Sequence, residues 1–248
     1  MKKKFLLFVF LILIISISSK VYATVNKTFI NSNGVELTDK EYKFINDFYG
    51  ENYFMNMTQE DYEWISDLDI NNRQVEINAY HDVSNLSLNN ILTKGPSYET
   101  NSKKISIARS CDTTKCTVIT NLTWLTNPTI RSYDVIGARF NGTSLYTNNI
   151  TTKVSSSSGT TYFSNNRYLS NGFGTSVKLP TGATNIIVNQ KFYTNIGGNI
   201  YASYQHATSN ISLPDSYYYT ISPGGLGGVF NFYGNASGIY DGMGGVNI

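Results

Sequence analysis

The sequence predicts a mainly β protein, an antiparallel, jelly-roll-like β-sandwich preceded by a short α-helical hairpin. Two observations predict it. From Lys103 onward, short runs rich in Val, Ile, Thr, Tyr and Phe alternate with Gly, Asn and Ser breaks, and no helical period intervenes. Before that point, two capping signals open amphipathic segments. The expected strands are 103–109, 116–125, 131–140, 145–155, 160–168, 173–179, 184–194, 199–208, 217–222 and 228–233.

Residues 1–23 have the pattern of a cleavable secretory signal peptide. Three lysines at positions 2–4 precede an apolar run from Phe5 to Ile17, and Val21-Tyr22-Ala23 has the small-residue form of a cleavage site. The apolar run is shorter than the roughly 20 residues that span a bilayer. We therefore expect a secreted protein, extracellular or held at the cell surface, with no transmembrane segment in the mature chain.

Removal of this segment changes the charge balance. The full chain carries 19 Lys and Arg against 17 Asp and Glu, a net charge of +2. Four of the cations, Lys2, Lys3, Lys4 and Lys20, lie in the signal segment, so the mature chain would carry a net charge of −2. No basic cluster remains to neutralise a phosphate backbone, so we expect no nucleic-acid partner.

Residues 24–80 are predicted to form the helical hairpin. Thr38 and Glu41 have the spacing of a capping box, and Thr58 and Asp61 repeat it with a shorter acid. Apolar and aromatic side chains follow each box at roughly helical spacing, and such a seam indicates packing more than a ligand site. Residues 81–102 lose this periodicity and are expected to be a connector.

Residues 103–248 form the predicted sandwich domain. Its last part contains two glycine-rich stretches, 223–228 and 241–245, which lack the strand–turn–helix setting of a dinucleotide-binding motif. We expect tight turns there, next to the closing strands.

The two cysteines, Cys111 and Cys116, are expected to form a disulfide. An even count in an exported chain favours a bridge, and the four residues between them suit the tip of a β-hairpin. Free thiols are the alternative. A metal site would need more ligands than two Cys and two His provide, so neither a metal nor a cofactor is expected.

Catalytic signals are weak. Neither His81 nor His206 lies near a G-x-S-x-G elbow or a metalloprotease motif. Strand alternation places Asp134 on the more apolar face, where a carboxylate needs a partner, so it is either a structural hub or a catalytic or calcium-binding group. Asp241 leaves the same choice open. The weak catalytic candidates are therefore Asp134, Asp241 and His206, and no catalytic residue is assigned.

Tyrosine is abundant, with 19 residues in the chain. Its apolar ring and polar tip suit both half-buried sheet faces and contact surfaces. Adjacent residues of a strand face opposite sides, so at least one ring of Tyr217, Tyr218 and Tyr219 should reach solvent. These three are the weak ligand-binding candidates, although packing and composition explain them as well.

The chain resembles uncharacterised secreted proteins of low-GC Gram-positive bacteria. Besides the lysine-rich signal, the matching segments are Leu37–Tyr42, Met57–Tyr62, Trp124–Pro128 and Arg131–Arg139. The resemblance implies a bacterial exported protein and brings no activity and no catalytic residues with it.

The favoured hypothesis is a non-enzymatic secreted or cell-envelope protein that binds a surface glycan or an extracellular protein. The first alternative is a secreted hydrolase of carbohydrate that uses Asp134 or Asp241, since paired carboxylates perform this chemistry. The second is a β-pore-forming toxin that inserts residues 150–162. That segment lacks the alternating apolar band of a lipid-facing strand, so the toxin ranks last.

Overall fold

The computed structural model describes residues 27–50, 52–81, 97–99, 102–207, 219–221, 230–232 and 238–247. The expected signal peptide, residues 1–23, lies outside these ranges. Within them, no helix has both the length and the apolar character needed to cross a bilayer.

The described part of the chain contains sixteen strands and three helices. The strands are β1 Thr28–Ile30, β2 Glu36–Thr38, β3 Val75–His81, β4 Ser97–Glu99, β5 Lys103–Cys111, β6 Cys116–Trp124, β7 Tyr133–Asn141, β8 Thr151–Ser156, β9 Gly159–Phe163, β10 Asn166–Leu169, β11 Gly172–Lys178, β12 Ile187–Thr194, β13 Asn199–Ala207, β14 Tyr219–Ile221, β15 Phe230–Phe232 and β16 Gly238–Asn247. The helices are α1 Asp39–Phe48, α2 Tyr53–Asn56 and α3 Gln59–Ser66.

One antiparallel ladder joins most of the strands, in the order β10-β11-β7-β13-β16-β3-β5-β6-β12-β8-β9. Strand β4 adds to β5, while β1–β2 and β14–β15 are separate two-stranded pairs. One layer consists of β10, β11, β7, β13 and β16, and the second layer consists of β5, β6, β12, β8 and β9. Strand β3 lies between them in the ladder, paired with β16 on one side and with β5 on the other. The predicted fold class, an antiparallel β-sandwich, is confirmed.

The main core lies between the two layers. Alternate residues of each strand point inward, and they include Ile136 of β7, Phe173 of β11, Val118 of β6 and Phe192 of β12. The rings of Phe173 and Phe192 meet edge to face across the layers, with centroids 4.9 Å apart. Removal of this apolar surface from water, at about 25 cal/mol per Å², is the main contribution to the stability of the sandwich.

The helices cover the outer face of the second layer. Phe44, Ile45 and Phe48 of α1 and Trp64 and Ile65 of α3 pack in one cluster, whose sheet side includes Ala108 and Ile119. Both predicted capping boxes are present, with the Thr38 and Thr58 hydroxyl oxygens accepting from the Glu41 and Asp61 backbone N–H groups. The aromatic side chains that follow the boxes mostly pack against one another, as Tyr49 and Tyr53 do with stacked rings 4.1 Å apart.

Strands also occur in segments where none was expected. Residues 24–80 include β1, β2 and β3 in addition to the helices, and β3 is part of the main ladder. Of the expected connector, His81 ends β3 and residues 97–99 form β4, while most of the remainder lies outside the described ranges. Strands β1, β2 and β4 have only three residues each, which is too short for a period to be recognised. Strand β3 does alternate, with Val75, Ile77 and Ala79 separated by more polar residues, and this signal was overlooked because it follows directly on the helical segment.

The expectation of turns in the last glycine-rich stretch was wrong. Residues 238–247 form β16, which pairs with β13 along its length and with β3 on its other side. A strand that lies between two partners gains ladder hydrogen bonds from both. Tertiary pairing of this kind overrides a low intrinsic β-propensity.

Candidate functional site

The disulfide is confirmed. Cys111 and Cys116 are direct partners at the ends of β5 and β6, and their Cα atoms lie 3.9 Å apart. The intervening tip is ordered by Asp112, whose Oδ1 accepts hydrogen bonds from the Thr114 hydroxyl and from the Lys115 and Thr114 backbone N–H groups. These hydrogen bonds, of which that from the Thr114 side chain contributes most, lower the pKa of Asp112 to about 2.

An exposed aromatic surface lies beside this tip. We define the disulfide-end surface as Lys115, Tyr146, Tyr193 and Ile196. The Lys115 ammonium is 4.3 Å from the ring centroid of Tyr193 and 5.9 Å from that of Tyr146. Tyr146 and Ile196 are each 47% exposed, and Ile196 follows Tyr193 by three residues in the chain.

The loop that carries Tyr146 is held by a set of hydrogen bonds. The Tyr146 N–H donates to the Tyr193 carbonyl oxygen at 2.9 Å, and the Asn195 N–H donates to the Ser144 carbonyl oxygen at 2.9 Å. The Asn195 amide also donates to the Ser144 hydroxyl, and the Thr143 hydroxyl donates to the Asn195 carbonyl oxygen, both at 2.8 Å. The exposed ring therefore projects from a fixed backbone.

Tyr193 links this surface to the helical layer. Its hydroxyl donates to Asp67 at 2.8 Å, and the Lys191 ammonium contacts the same carboxylate oxygen at 2.9 Å. Partial burial, together with the hydrogen bond to the Asp67 carboxylate and its negative charge, raises the pKa of Tyr193 to about 12. The hydrogen bond to Asp67 orients the phenol, and the raised pKa extends its protonated form to higher pH than that of a free tyrosine.

The disulfide-end surface combines an exposed aromatic ring with a nearby cation. An aromatic face can stack on the C–H face of a pyranose, because each is flat and apolar. The Lys115 ammonium offers hydrogen-bond donors near the ring, and the exposed Ser144 and Asn195 add polar groups to the surface of the same loop region. The four residues of the surface were not singled out by sequence reasoning, because their approach depends on the pairing of β12 with the distant loop 142–150.

A second cluster gathers two of the sequence candidates, Asp134 and His206. Asp134 lies on the inner face of β7 and is fully buried. Its carboxylate accepts from the Tyr204 hydroxyl, from the Ala207 N–H at 2.9 Å and from His206, whose Nδ1 is 2.9 Å from Oδ2. The Trp124 ring, from the opposite layer, meets the His206 ring edge to face at 4.8 Å.

This arrangement is that of a hydrogen-bond hub. Three donors from β13 converge on one carboxylate of β7, which offsets the cost of burying the charge. Nδ1 of His206 faces Asp134, so Nε2 is the remaining ring nitrogen. Neither oxygen of Asp134 is left without a donor.

The other sequence candidates are only partly described. Asp241 lies at a register shift of β16, opposite Tyr204 and Gln205, and its side chain lies outside what the structure describes. Tyr217 and Tyr218 lie outside the described residues, and Tyr219 is described only as the first residue of β14. His81 ends β3 opposite Met243. Across the described ranges, no three His, Cys, Asp or Glu side chains are grouped as metal ligands would be.

No protein-family model and no curated protein matches the sequence. Among solved structures, the collagen-binding subdomain of the Enterococcus faecalis surface protein ACE is similar at 11% identity and TM-score 0.28, covering 51% of this chain and 84% of that chain. A structure described under the heading of pH-induced modulation of Streptococcus parasanguinis adhesion by Fap1 fimbriae is similar at 16% identity and TM-score 0.34. The match covers 74% of this chain and 92% of that chain. AvmM, which catalyses macrocyclization in alchivemycin A biosynthesis, reaches TM-score 0.22 at 11% identity, covering 47% and 74%. At these TM-scores, no residue correspondence follows from any of the three.

Proposed function

We propose that this chain is a secreted or cell-surface-associated, non-enzymatic binding protein whose disulfide-end surface binds a glycan. The observation that carries the proposal is the exposed Tyr146 ring on a loop fixed by hydrogen bonds, beside the Lys115 ammonium. A rigid aromatic residue provides contact area without the loss of conformational freedom that a mobile side chain pays on binding.

A glycan fits this surface better than a protein partner does. The core of a protein interface is usually depleted of charged side chains and surrounded by a polar rim. Here the ammonium of Lys115 lies near two aromatic rings, that of Tyr193 and that of the exposed Tyr146. Polar groups interleaved with rings are what a hydroxyl-rich, locally apolar ligand requires.

The hydrolase alternative has less support. A nucleophile or general acid must reach the substrate with a free oxygen. Asp134 is fully buried, and its two oxygens already accept from Tyr204, His206 and the Ala207 N–H. A structural role explains this residue without an added function.

The pore-forming alternative also has less support. The segment 150–162 spans β8 and most of β9, and β8 pairs with β12 as well as with β9. Thr152, Lys153 and Val154 are buried in this setting. Release of the hairpin into a bilayer would expose them and break the ladder with β12.

Binding to a glycan array tests the proposal directly. The wild-type chain should bind at least one class of glycan, and Tyr146→Ala should weaken this binding about tenfold, or about 1.4 kcal/mol. Tyr162→Ala is the matched control, because that ring is also exposed but lies on β9. Absence of binding by the wild-type protein, or equal binding by Tyr146→Ala, would rule the proposed site out.

A further inference from the structure

A lysine is buried under the helical layer. Lys153 of β8 is 1% exposed, and its Nζ lies 3.0 Å from Asp61 Oδ1 and 3.9 Å from Glu60 Oε1. The same ammonium is 4.8 Å from the centroid of the Trp64 ring. Burial of an ammonium is costly even when it is paired, so its retention at this position calls for a reason.

An unusual asparagine is its neighbour in the sheet. Asn189 of β12 is the direct antiparallel partner of Lys153. It is fully buried, and neither Oδ1 nor Nδ2 of its carboxamide has a hydrogen-bond partner. A buried polar group without a hydrogen-bond partner loses the bonds that it would make to water, and this one side chain carries two such groups.

The register places the two side chains on the same face. Directly opposed residues of antiparallel strands have Cβ atoms about 4.5–5.5 Å apart, well within the reach of a lysine side chain. The Lys153 ammonium contacts Asp61 and not the carboxamide, which corresponds to the state before any reaction between them. An amine, a primary amide and a carboxylate thus share one buried site.

We propose that Lys153 and Asn189 become joined by an intramolecular isopeptide bond, formed between Nζ and Cγ with loss of ammonia and assisted by Asp61. The cross-link would connect β8 to β12 near the edge of the second layer. It would remove the buried ammonium and replace the unpaired carboxamide by a secondary amide.

The reaction balances without an oxidant or a co-reactant. The Lys153 ammonium gives one proton to Asp61, and the neutral amine attacks Cγ of Asn189. The Cγ–Nδ2 bond then breaks, and Nδ2 leaves as ammonia with its own two hydrogens and the second amine hydrogen. Ammonia takes up the proton held by Asp61 and departs as ammonium, which leaves Asp61 as a carboxylate.

The reaction begins only when the Asp61 carboxylate takes a proton from Lys153. Burial would raise the pKa of Asp61, but the Lys153 ammonium and the hydrogen bonds from Thr58 outweigh burial and lower it. These contacts stabilise the ionised Asp61 carboxylate, which the reaction must first protonate, so we expect the bond to form after folding and slowly.

Mass spectrometry of the intact, folded full chain tests the proposal. After incubation, the mass should be lower than the disulfide-bonded sequence mass by one ammonia molecule. Tryptic digestion should yield a peptide that joins β8 to β12, because a modified Lys153 is not cleaved. A full mass in the wild-type protein, or a loss of ammonia that maps to other peptides, would overturn the proposal.

Three variants locate the bond and one serves as the control. Lys153→Met and Asn189→Ala should each retain the full mass, and Asp61→Ala should retain it or lose ammonia at least tenfold more slowly. Lys191→Met is the control, because Lys191 also pairs with an acid but its partners in the ladder are Thr151 and Ile119. It should lose ammonia as the wild type does. Undiminished ammonia loss in Asp61→Ala would contradict the role given to that carboxylate.

Discussion

At the scale of single residues, Asp134 connects β7 to β13 through one carboxylate. Truncation in Asp134→Ala would leave the Tyr204 hydroxyl, the His206 ring and the Ala207 N–H without their acceptor. Each unpaired buried group costs about 1–3 kcal/mol, so we expect a loss of at least about 3 kcal/mol in the free energy of unfolding. Urea denaturation measures it.

The control for this prediction is Glu36→Ala, because Glu36 is an exposed acid of β2. Its free energy of unfolding should stay within about 0.5 kcal/mol of wild type. If Asp134→Ala were as stable as Glu36→Ala, the hub would have no structural role.

The lowered pKa of Asp112 predicts how its contribution to stability depends on pH in acid solution. Its folded pKa of about 2 is lower than the ordinary value of 3.8, so the hydrogen bonds at the tip stabilise the ionised form. Their contribution to stability is complete above pH 3.8 and is lost as the pH falls through about 2. NMR titration of the carboxyl carbon measures this pKa.

Thr114→Ala removes the hydrogen bond that contributes most to the lowered pKa of Asp112 and should raise that pKa toward its ordinary value. Thr113→Ala is the matched control, since Thr113 is the exposed neighbour in the same tip. An unchanged pKa in Thr114→Ala would contradict the assigned cause.

The sequence predicts the face of the strand on which Asp134 lies, but it does not predict the residues that Asp134 contacts. Alternation along β7 correctly places Asp134 with Ile136 and Phe140 on the inner face. The approach of Tyr204 and His206 depends on the register of β7 with β13, two strands about seventy residues apart in the chain. No local pattern encodes that register.

At the scale of elements, the capping boxes are the most local signals in the chain. The Thr38 side chain accepts from the Glu41 N–H, and Glu41 Oε2 accepts in return from the Thr38 N–H at 2.8 Å. We expect Thr38→Ala to lower the free energy of unfolding by about 1 kcal/mol, because the first turn of α1 loses its cap. Thermal denaturation followed by circular dichroism measures it.

Thr38→Ser retains the hydroxyl oxygen and should remain within about 0.5 kcal/mol of wild type. If both variants lost the same stability, the effect would come from the methyl group and its packing rather than from the cap.

Helices and strands were predicted correctly where the residue composition and the spacing of apolar residues indicate the same structure. The hairpin of β5 and β6, with its disulfide at the tip, follows from β-branched runs on either side of a four-residue polar turn. Strand β16 could not be predicted in this way, because its glycines contribute little side-chain packing and its pairing is with distant strands. The short helix α2 likewise lies between the two boxes, and its N-cap residue, Asn52, makes no side-chain capping hydrogen bond.

At the scale of the whole molecule, the expected export of the chain gives a direct prediction. The protein recovered from the medium of an expressing Gram-positive host should begin at Thr24, as cleavage after Ala23 requires. Amino-terminal sequencing of the secreted material measures it. A start at Met1 in that material would contradict the signal-peptide assignment.

The arrangement of layers could be predicted only in part. Strand spacing predicts a sandwich, and the capping boxes predict helices before it, but the sequence does not say which face the helices cover. That choice depends on polar contacts between distant residues, such as the Ser106 hydroxyl with the Phe48 carbonyl oxygen and Lys191 with Asp67. The disulfide-end surface arises from the same long-range assembly.

The most direct test of the binding account is NMR chemical-shift mapping of the wild-type chain, titrated with the glycan that binds best on the array. The account predicts shifts for Tyr146, Lys115 and Asn195, with the His206 ring and the Asp134 carboxyl unchanged. Shifts centred on His206 and Asp134, or slow conversion of the glycan during the titration, would contradict it and favour the hydrolase.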